Sequence, residues 1–304
     1  MPRRLKGSEA TSLLAEARDR TDALMVAWAD RVLTLVPGRN GQAIAYALQS
    51  PGKRVRPALV LAAYRAVGGV SPAIAGVAAA VETVHTYSLV HDDLPCMDDD
   101  DLRRGRATTH RAFDVATATR AGYFLVPIAA MVLAQASQDL VLPASVLGQM
   151  AVELFQAGGV EGMVGGQWLD LEAEGRRLTQ KELRQVHRGK TGALMRAACV
   201  LGGLAGEATP GQIEALGGYG EEVGLAFQIA DDVLDATSTS AILGKTAGRD
   251  AALEKSTYVS LLGIDGARRE AASAARRAVQ HLTRAGLPTT SLAPLAQYIV
   301  SRDS

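Results

Sequence analysis

Runs in which β-branched and polar residues alternate are scarce along this chain, whereas Ala, Leu, Glu, Arg and Gln dominate it. These residues favour helices, and an alternating pattern would have favoured strands. Glycine and proline cluster at 37–38, 51–52, 68–69, 202–203, 210–211 and 286–288, where helices are expected to end. The pattern predicts helices over 8–35, 40–49, 57–67, 72–94, 108–136, 143–157, 160–174, 179–205, 210–236, 265–284 and 290–302.

Two of these predicted helices repeat one another. When Glu82–Leu94 is laid over Glu221–Val233, a glutamate leads a pair of aspartates by ten residues in both segments. Similar composition alone would explain the flanking residues, but it explains the repeated aspartate pairs less well. A helical bundle can set such helices face to face, with their acidic ends at one mouth of a shared apolar cavity.

The second acidic cluster is Asp231-Asp232-Val-Leu-Asp235. Asp231 and Asp235 are four residues apart, so they lie on one helix face, where their charges repel one another unless a cation or water is present. Oxygen ligands select a hard cation, and Mg²⁺ keeps its waters while it joins a few carboxylates to phosphate oxygens. A solvated helix end is the simpler alternative, but it ranks second because both aspartate pairs follow apolar segments.

The first cluster is spaced differently. Asp92 and Asp93 are followed by Asp98, and Pro95 is expected to disturb the helix so that Asp98 turns back toward the pair. Asp99–Asp101 are expected to form a solvated rim. Arg103 and Arg104 come next, and their planar guanidinium groups suit bidentate phosphate binding, although simple salt bridging to the aspartates is the alternative.

More basic residues stand beside glycines at predicted helix ends, in Gly52-Lys-Arg-Val-Arg56, Gly189-Lys-Thr-Gly192 and Gly244-Lys245, with Lys255 beyond. Glycine lets the backbone approach an oxyanion, and a helix N-terminus adds donors. Each of these pairs alone is more often a surface turn. The full GxxxxGK[ST] pattern after a strand is absent, so an ATPase has little support.

Composition narrows the function further. Of 304 residues, 48% are hydrophobic, and no Pro- or Ser-rich linker divides them, so a single domain over residues 1–304 is predicted. The formal net charge is zero, which argues against nucleic-acid binding through a broad positive field. Cys96 and Cys199 form no CxxC motif, and no apolar segment follows the basic start, so a cytoplasmic protein is expected. The apolar run 121–136 contains Pro127 and is shorter than the roughly 20 residues of a membrane span, so none is predicted.

Taken in order, the motifs resemble those of trans-prenyl diphosphate synthases over roughly residues 40–300, and most closely those of bacterial short-chain enzymes that make farnesyl or geranylgeranyl diphosphate. The resemblance implies an all-α, single-domain helical bundle of the isoprenoid synthase type around a central apolar cavity. It also implies a homodimer. The motifs that carry it are Gly52-Lys-Arg-Val-Arg-Pro57, His91–Gly105, Gly165-Gly-Gln167, Lys190-Thr-Gly192 and Phe227–Asp235.

The implied reaction condenses isopentenyl diphosphate head to tail with an allylic diphosphate, dimethylallyl or geranyl, with about three Mg²⁺ ions per active site. The resemblance assigns the metal ions to Asp92, Asp93, Asp98, Asp231, Asp232 and Asp235. It assigns the allylic diphosphate to Arg103, Lys190, Lys245 and Lys255, with Thr191 and Gln228 beside the reacting carbons. It assigns isopentenyl diphosphate to Gly52, Lys53, Arg56, His85 and Arg104.

Product length depends on the floor of the cavity, one to two helical turns below Asp92, where Tyr87 and Ser88 lie. Bulk there is associated with shorter products in this family, so Tyr87 predicts farnesyl diphosphate, with geranylgeranyl diphosphate as the alternative. Packing of Tyr87 into the core would be the simpler interpretation. Ala121-Gly-Tyr123-Phe124 stands where the family usually has an Ala-Gly-Asp-Ala type of sequence. The aromatic pair is expected either to narrow the cavity or to alter a subunit interface.

Three other functions compete with this interpretation. Glu82 and His85 match the ExxH of di-iron carboxylate bundles, but a second ExxH is absent from the sequence. A class I terpene cyclase also has an acidic magnesium site, yet its second metal motif is usually of the Asn/Ser/Glu type. A non-catalytic subunit of such a synthase would be expected to lose acidic or basic ligands, and none is lost here.

Overall fold

The computed structural model describes residues 6–237 and 256–301. Within that part of the chain the protein is a helical bundle with one short hairpin, so the all-α prediction is confirmed. The elements are α1 (Lys6–Leu35), α2 (Arg39–Leu48), α3 (Val55–Ala66), α4 (Ile74–Asp92), β1 (Leu102–Arg103), β2 (Arg106–Ala107), α5 (Thr109–Ala112), α6 (Val115–Asp139), α7 (Ala144–Gly158), α8 (Met163–Glu172), α9 (Gln180–His187), a π-helical segment (Arg188–Gly192), α10 (Ala193–Ala205), α11 (Pro210–Thr237), α12 (Tyr258–Arg284) and α13 (Leu292–Ser301).

Helices α4 and α11, the two that end in aspartate pairs, lie in the middle of the bundle. Most residues of α4 are buried, and most of these are Ala and Val, as expected for a helix surrounded by others. It packs against α1, α3 and α6, while α11 packs against α10, α12 and α13. A Cβ on Gly76 would lie 2.7 Å from Cβ of Ala136, so this glycine lets α4 and α6 approach closely.

Two predicted helix boundaries were wrong. The helix predicted over 108–136 is broken before α6, because Asp114 caps α6 by accepting a hydrogen bond from Thr117 N at 2.7 Å. The helix predicted over 265–284 begins earlier, since Thr257 and Ser260 form a reciprocal capping box at the start of α12. Gly263, with φ 69°, interrupts the regular helix just before the predicted start.

Local features of the backbone also differ from a purely helical prediction. Strands β1 and β2 pair antiparallel, Leu102 with Ala107 and Arg103 with Arg106. The turn between them has φ 55° at Arg104 and 74° at Gly105, the left-handed geometry of a tight hairpin. The helix predicted over 179–205 follows the right path, but its middle, Arg188–Gly192, is π-helical.

The argument from length against a membrane span was wrong. The helix continues beyond the apolar run on both sides, so α6 has 25 residues. Among the described residues it is the helix that is long and apolar enough to cross a membrane. Length and composition alone support such a span, and buried core helices pass the same test. Its most apolar window has a mean hydropathy of 1.4 and is 44% buried, and α6 packs along α4 and α2.

Candidate active site

The acidic ends of α4 and α11 face one cavity of about 320 Å³. Asp92 and Asp231 both line it, and Leu89, Met163 and Phe227 add apolar surface. Most of the site residues predicted from the sequence meet here: Arg56, His85, Ser88, Asp92, Asp98, Arg103, Arg104, Lys190, Thr191, Gln228, Asp231, Asp232 and Asp235. Gly52, Lys53, Tyr87 and Asp93 lie outside this lining, and Lys245 and Lys255 lie outside the described residues.

The aspartates of the first cluster differ in their surroundings. Asp92 faces the cavity, and its pKa is raised to about 7. Burial raises this pKa most, the positive charge of Lys190 lowers it, and the negative charge of Asp98 raises it. Asp93 is buried outside the cavity lining, and its Oδ1 accepts a hydrogen bond from Arg103 Nε at 2.6 Å. Asp92 and Asp98 are therefore the cavity-facing carboxylates of the predicted metal set in this cluster, and Asp93 positions Arg103.

All three aspartates of the second cluster line the cavity, but their contacts differ. Asp231 faces the cavity from α11. Asp232 is buried, and its Oδ2 accepts a hydrogen bond from Tyr258 N at 2.8 Å and lies 3.7 Å from His187 Nε2. Asp235 has a buried Oδ1 without a hydrogen-bond partner in the described part of the chain. A buried carboxylate oxygen left in this state is costly unless a ligand satisfies it.

These donors suit a magnesium ion that is shared with a phosphate ligand. Among residues 6–237 and 256–301, no three acidic, histidine or cysteine side chains converge into a metal cage. Mg²⁺ does not require one, because it keeps several waters and binds one or two carboxylates together with substrate phosphates. The cavity-facing carboxylates, the raised pKa of Asp92 and the unpaired oxygen of Asp235 fit that mode of binding.

The opposite part of the cavity is basic. Arg56 has a buried Nε without a partner in the described chain, and burial lowers its pKa to about 10. Burial first, and then the positive charge of Arg56, also hold the pKa of His85 well below its usual value. His85 is therefore a neutral imidazole at neutral pH, and its Nδ1 is buried without a partner among the described residues.

Arg54 belongs to the Gly52–Pro57 motif, and its contacts are visible only in the structure. It is 4% exposed and adopts φ 51°, ψ 40°, and its guanidinium donates to Asp22, Glu82 and the Ser50 carbonyl, each at 2.7 Å. Its acidic partners are far away in the sequence, so no local signal points to them. Because Glu82 is bound to Arg54, Glu82 is not available as the metal ligand of an ExxH site.

Gly52 has a structural reason to be glycine. A Cβ there would lie 2.6 Å from Nη1 of Arg104 and 2.8 Å from Nη1 of Arg54. Arg104 donates to the Pro51 carbonyl at 2.5 Å, so both arginines hold the loop that carries Lys53.

Lys190 and Thr191 reach the cavity from the π-helical segment. Lys190 Nζ donates to Asp170 Oδ2 at 2.6 Å, and Thr191 Oγ1 donates to Gln228 Oε1 at 2.9 Å. A Cβ on Gly166 would lie 2.0 Å from Lys190 N, so α8 touches this segment only because a glycine stands there. Single-turn π segments inside α-helices are frequent at functional sites.

Sequence reasoning missed several residues that line the cavity. Met163, Gln167 and Asp170 form one face of α8, at i, i+4 and i+7. The Gly165-Gly-Gln167 motif was the available signal for that face. His187 also lines the cavity, as does Asp100, which was expected to be a solvated rim and instead pairs with Arg103 at 3.1 Å.

Tyr87 lies behind the wall of the cavity, and its neighbour Ser88 lines it. The Tyr87 hydroxyl donates to the Gly158 carbonyl at 3.0 Å, and the ring meets His91 edge-on. His91 also meets Tyr123 edge-on. Tyr123 and Phe124 are exposed on α6 and lie outside the lining of the described cavity, so this unusual pair does not narrow it.

Comparison with known proteins shows the family of this chain. The polyprenyl synthetase family model matches residues 39–285. The chain is 45% identical over 256 residues to farnesyl diphosphate synthase of Escherichia coli, covering 83% of this chain and 85% of that protein. It is 42% identical over 275 residues to the large subunit 1 of a chloroplastic heterodimeric geranylgeranyl pyrophosphate synthase of Arabidopsis thaliana, covering 88% and 73%.

A solved structure shows the same fold. The geranyltransferase of Helicobacter pylori, complexed with magnesium and isoprenyl diphosphate, superposes with a TM-score of 0.77 at 28% identity, covering 96% of this chain and 94% of that one. The helical bundle is therefore that of the isoprenoid synthases, whose family uses magnesium. The chain belongs to the polyprenyl synthetase family and is a short-chain prenyl diphosphate synthase, a prenyltransferase of isoprenoid biosynthesis.

Proposed function

We propose that this enzyme makes farnesyl diphosphate by adding isopentenyl diphosphate to dimethylallyl and then to geranyl diphosphate. The observation that carries the proposal is the meeting of Asp92 and Asp231 with Lys190 and Arg103 in one cavity. Acidic groups suited to Mg²⁺ and basic groups suited to phosphate oxygens thus face the same space.

Arg103 and Lys190 act on the leaving group. When the allylic C–O bond breaks, its electron pair leaves with the diphosphate, and these cations stabilise the negative charge that develops there. Magnesium, when bound, supplies further positive charge to the same oxygens. We propose about three Mg²⁺ ions per site, held by Asp92, Asp98, Asp231 and Asp235, with Asp93 and Asp232 in support. Lys245 and Lys255 are proposed to join them at the allylic diphosphate.

The second substrate belongs to the basic part of the cavity. Arg56 and Arg104, with Lys53 on the adjacent loop, are proposed to bind isopentenyl diphosphate. His85, which is neutral, donates a hydrogen bond there without adding another charge. Thr191 and Gln228 present oxygen atoms toward the reacting carbons, and the departing diphosphate takes the final proton. The apolar side chains of Leu89, Met163 and Phe227 keep water from the carbocation.

The reaction is tested by incubating the purified protein with Mg²⁺, isopentenyl diphosphate and, in turn, dimethylallyl, geranyl or farnesyl diphosphate. Condensation with a fifteen-carbon product is expected. Release of a cyclic hydrocarbon from an allylic diphosphate alone would identify a terpene cyclase. Lack of turnover in the isolated protein, recovered on adding a second synthase subunit, would identify a non-catalytic partner.

Product length is expected to change when Tyr87 is replaced with Ala. The ring is held by its bond to the Gly158 carbonyl, one turn and more below Asp92, and we propose that it limits the depth of the cavity, so that removing it deepens the cavity. We expect geranylgeranyl diphosphate to replace farnesyl diphosphate as the main product, measured by chromatography of the dephosphorylated alcohols. Tyr298→Ala is the control, because that ring is also partly buried but lies on α13, outside the cavity lining. An unchanged product in Tyr87→Ala would contradict this floor.

Geranylgeranyl diphosphate is the second candidate product. The relatives include both kinds of synthase, and Ser88, the residue that actually lines the cavity below Asp92, is small. A small residue at that point leaves room for a longer chain unless Tyr87 limits it. The product analysis above distinguishes farnesyl from geranylgeranyl diphosphate.

We also propose a homodimer. Large apolar side chains are exposed on α6, α7 and α8, which follow one another and pack together: Val115, Tyr123, Phe124, Met131, Val152, Val164, Trp168 and Leu169. Apolar surface of this extent is typical of a protein interface.

A cytoplasmic, single-domain protein that binds no nucleic acid and spans no membrane remains the proposal. It is supported by the zero net charge and the free Cys96 and Cys199.

A further inference from the structure

The side chain of Gln167 is buried, and neither end of its amide is hydrogen-bonded to a described residue. The residue is 4% exposed, and both Nε2 and Oε1 lack a partner in the described part of the chain. Leaving one buried amide atom unpaired is costly, and leaving both unpaired is rare in native proteins. The unpaired amide therefore lowers the stability of the fold, and binding of a ligand would explain why it is there.

Gln167 lines the cavity, so a ligand bound there is a candidate partner for its amide. On α8, Gln167 stands between Met163, which is apolar and 4% exposed, and Asp170, which pairs with Lys190. Gln167 therefore stands at the boundary between apolar and charged residues of the cavity lining. In the proposed reaction, that boundary is where the hydrocarbon chain of the allylic substrate joins its diphosphate.

We propose that Gln167 is a catalytic residue that contacts the allylic substrate at the junction of chain and diphosphate. Its NH₂ group donates a hydrogen bond to a diphosphate oxygen, and its carbonyl oxygen faces the allylic carbons. This inference rests on the proposed function and adds to it a contact that the sequence analysis did not assign.

The chemistry suits a neutral amide. The C–O bond breaks and its electron pair leaves with the diphosphate; the π electrons of isopentenyl diphosphate then form the new C–C bond, and a proton passes to the diphosphate. Gln167 gives and takes neither protons nor electrons in these steps. Its donor stabilises the charge growing on the leaving group, and its carbonyl dipole stabilises the positive carbon without the nucleophilicity of a carboxylate.

The test compares stability with kinetics. Gln167→Met keeps the length of the side chain and removes both unpaired polar atoms, so its melting temperature is expected to equal or exceed that of the wild type. Its kcat is expected to fall about 10- to 100-fold, while KM for isopentenyl diphosphate changes less than about threefold. Calorimetric binding of geranyl thiolodiphosphate, an allylic analogue that resists ionisation, is expected to weaken less than kcat falls.

The matched control is Thr21→Val. Thr21 is also completely buried, and its Oγ1 has no partner among residues 6–237 and 256–301, but it lies on α1, outside the cavity lining. This variant is expected to gain stability and keep the kinetics of the wild type. Gln167→Glu is the second variant at the site. It keeps the size of the side chain but replaces the NH₂ donor with a carboxylate oxygen, so it is expected to bind the analogue more weakly than Gln167→Met.

Three results would overturn the inference: wild-type kcat in Gln167→Met, a loss of kcat that accompanies a lower melting temperature, or tighter binding of the analogue by Gln167→Glu than by Gln167→Met. A wild-type protein that does not condense the substrates would instead remove the proposed function, and the inference with it.

Discussion

An Asp92→Asn variant is expected to lose about a thousandfold in kcat/KM, while its metal-free form melts at a higher temperature than the wild type. The loss of activity follows from the position of Asp92 at the cavity, opposite Asp231. Without that carboxylate, magnesium is held less well against the leaving diphosphate, where charge stabilisation is the main source of catalysis. Asp231→Asn is expected to lose activity to a similar extent.

The gain in stability follows from the pKa of the same group. Burial raises the pKa of Asp92 from 3.8 to about 7, so the native protein holds a proton that the unfolded chain has already released. Stability therefore falls as the pH rises through this window, and above it the ionised carboxylate destabilises the fold fully. Asparagine has no charge to bury, so the increase in melting temperature is expected to be largest above pH 7 and about 2 °C or more.

Thermal melts at pH 5 and pH 8, with and without Mg²⁺ and inorganic diphosphate, measure this effect. The wild type is expected to gain stability from the added ligands at pH 8, and Asp92→Asn is expected to gain much less. Asp265→Asn is the control, because that side chain is 85% exposed on α12. Full activity in Asp92→Asn, or a melting temperature of its metal-free form at pH 8 below that of the metal-free wild type, would contradict the placement of Asp92 at the metal site.

Much of the active site was predictable from the sequence because its signals are local. Asp92 and Asp231 each follow an apolar helix, and short spacing along one helix decides which carboxylates share a face. The partner of Lys190 was not predictable in this way, since Asp170 comes from another helix. The backbone of the π-helical segment touches that of Gly166, and nothing near Lys190 in the sequence indicates that contact.

Sequence reasoning also cannot separate carboxylates that look alike. Asp92 and Asp93 are neighbours in one motif, yet the first faces the cavity and the second is bound to Arg103. Consecutive helical residues point about 100° apart, so the difference depends on what packs around the helix end. Burial sets it, and burial is a property of the whole fold.

Arg54 shows how far the supporting structure of such a site can lie from its motif. Its guanidinium joins α1, α4 and the loop before α3 through Asp22, Glu82 and the Ser50 carbonyl. The two acidic partners are bound at the same distance, 2.7 Å, but the side chain of Asp22 is 40% exposed and that of Glu82 only 4%. Their contributions should therefore differ, because water can solvate one carboxylate and not the other.

Arg54→Met is expected to lower the free energy of unfolding by about 3–5 kcal/mol, because it leaves the Glu82 charge buried and unpaired. Adding Glu82→Met should restore most of that loss, since two apolar side chains can fill the space of the ion pair. Asp22→Asn, which removes the solvated partner, should cost about 1 kcal/mol or less. Urea unfolding of the four proteins measures these differences. Equal losses in the single and double variants would mean that Arg54 acts through the Ser50 loop instead, and equal losses in Asp22→Asn and Arg54→Met would mean that burial does not decide which pair matters.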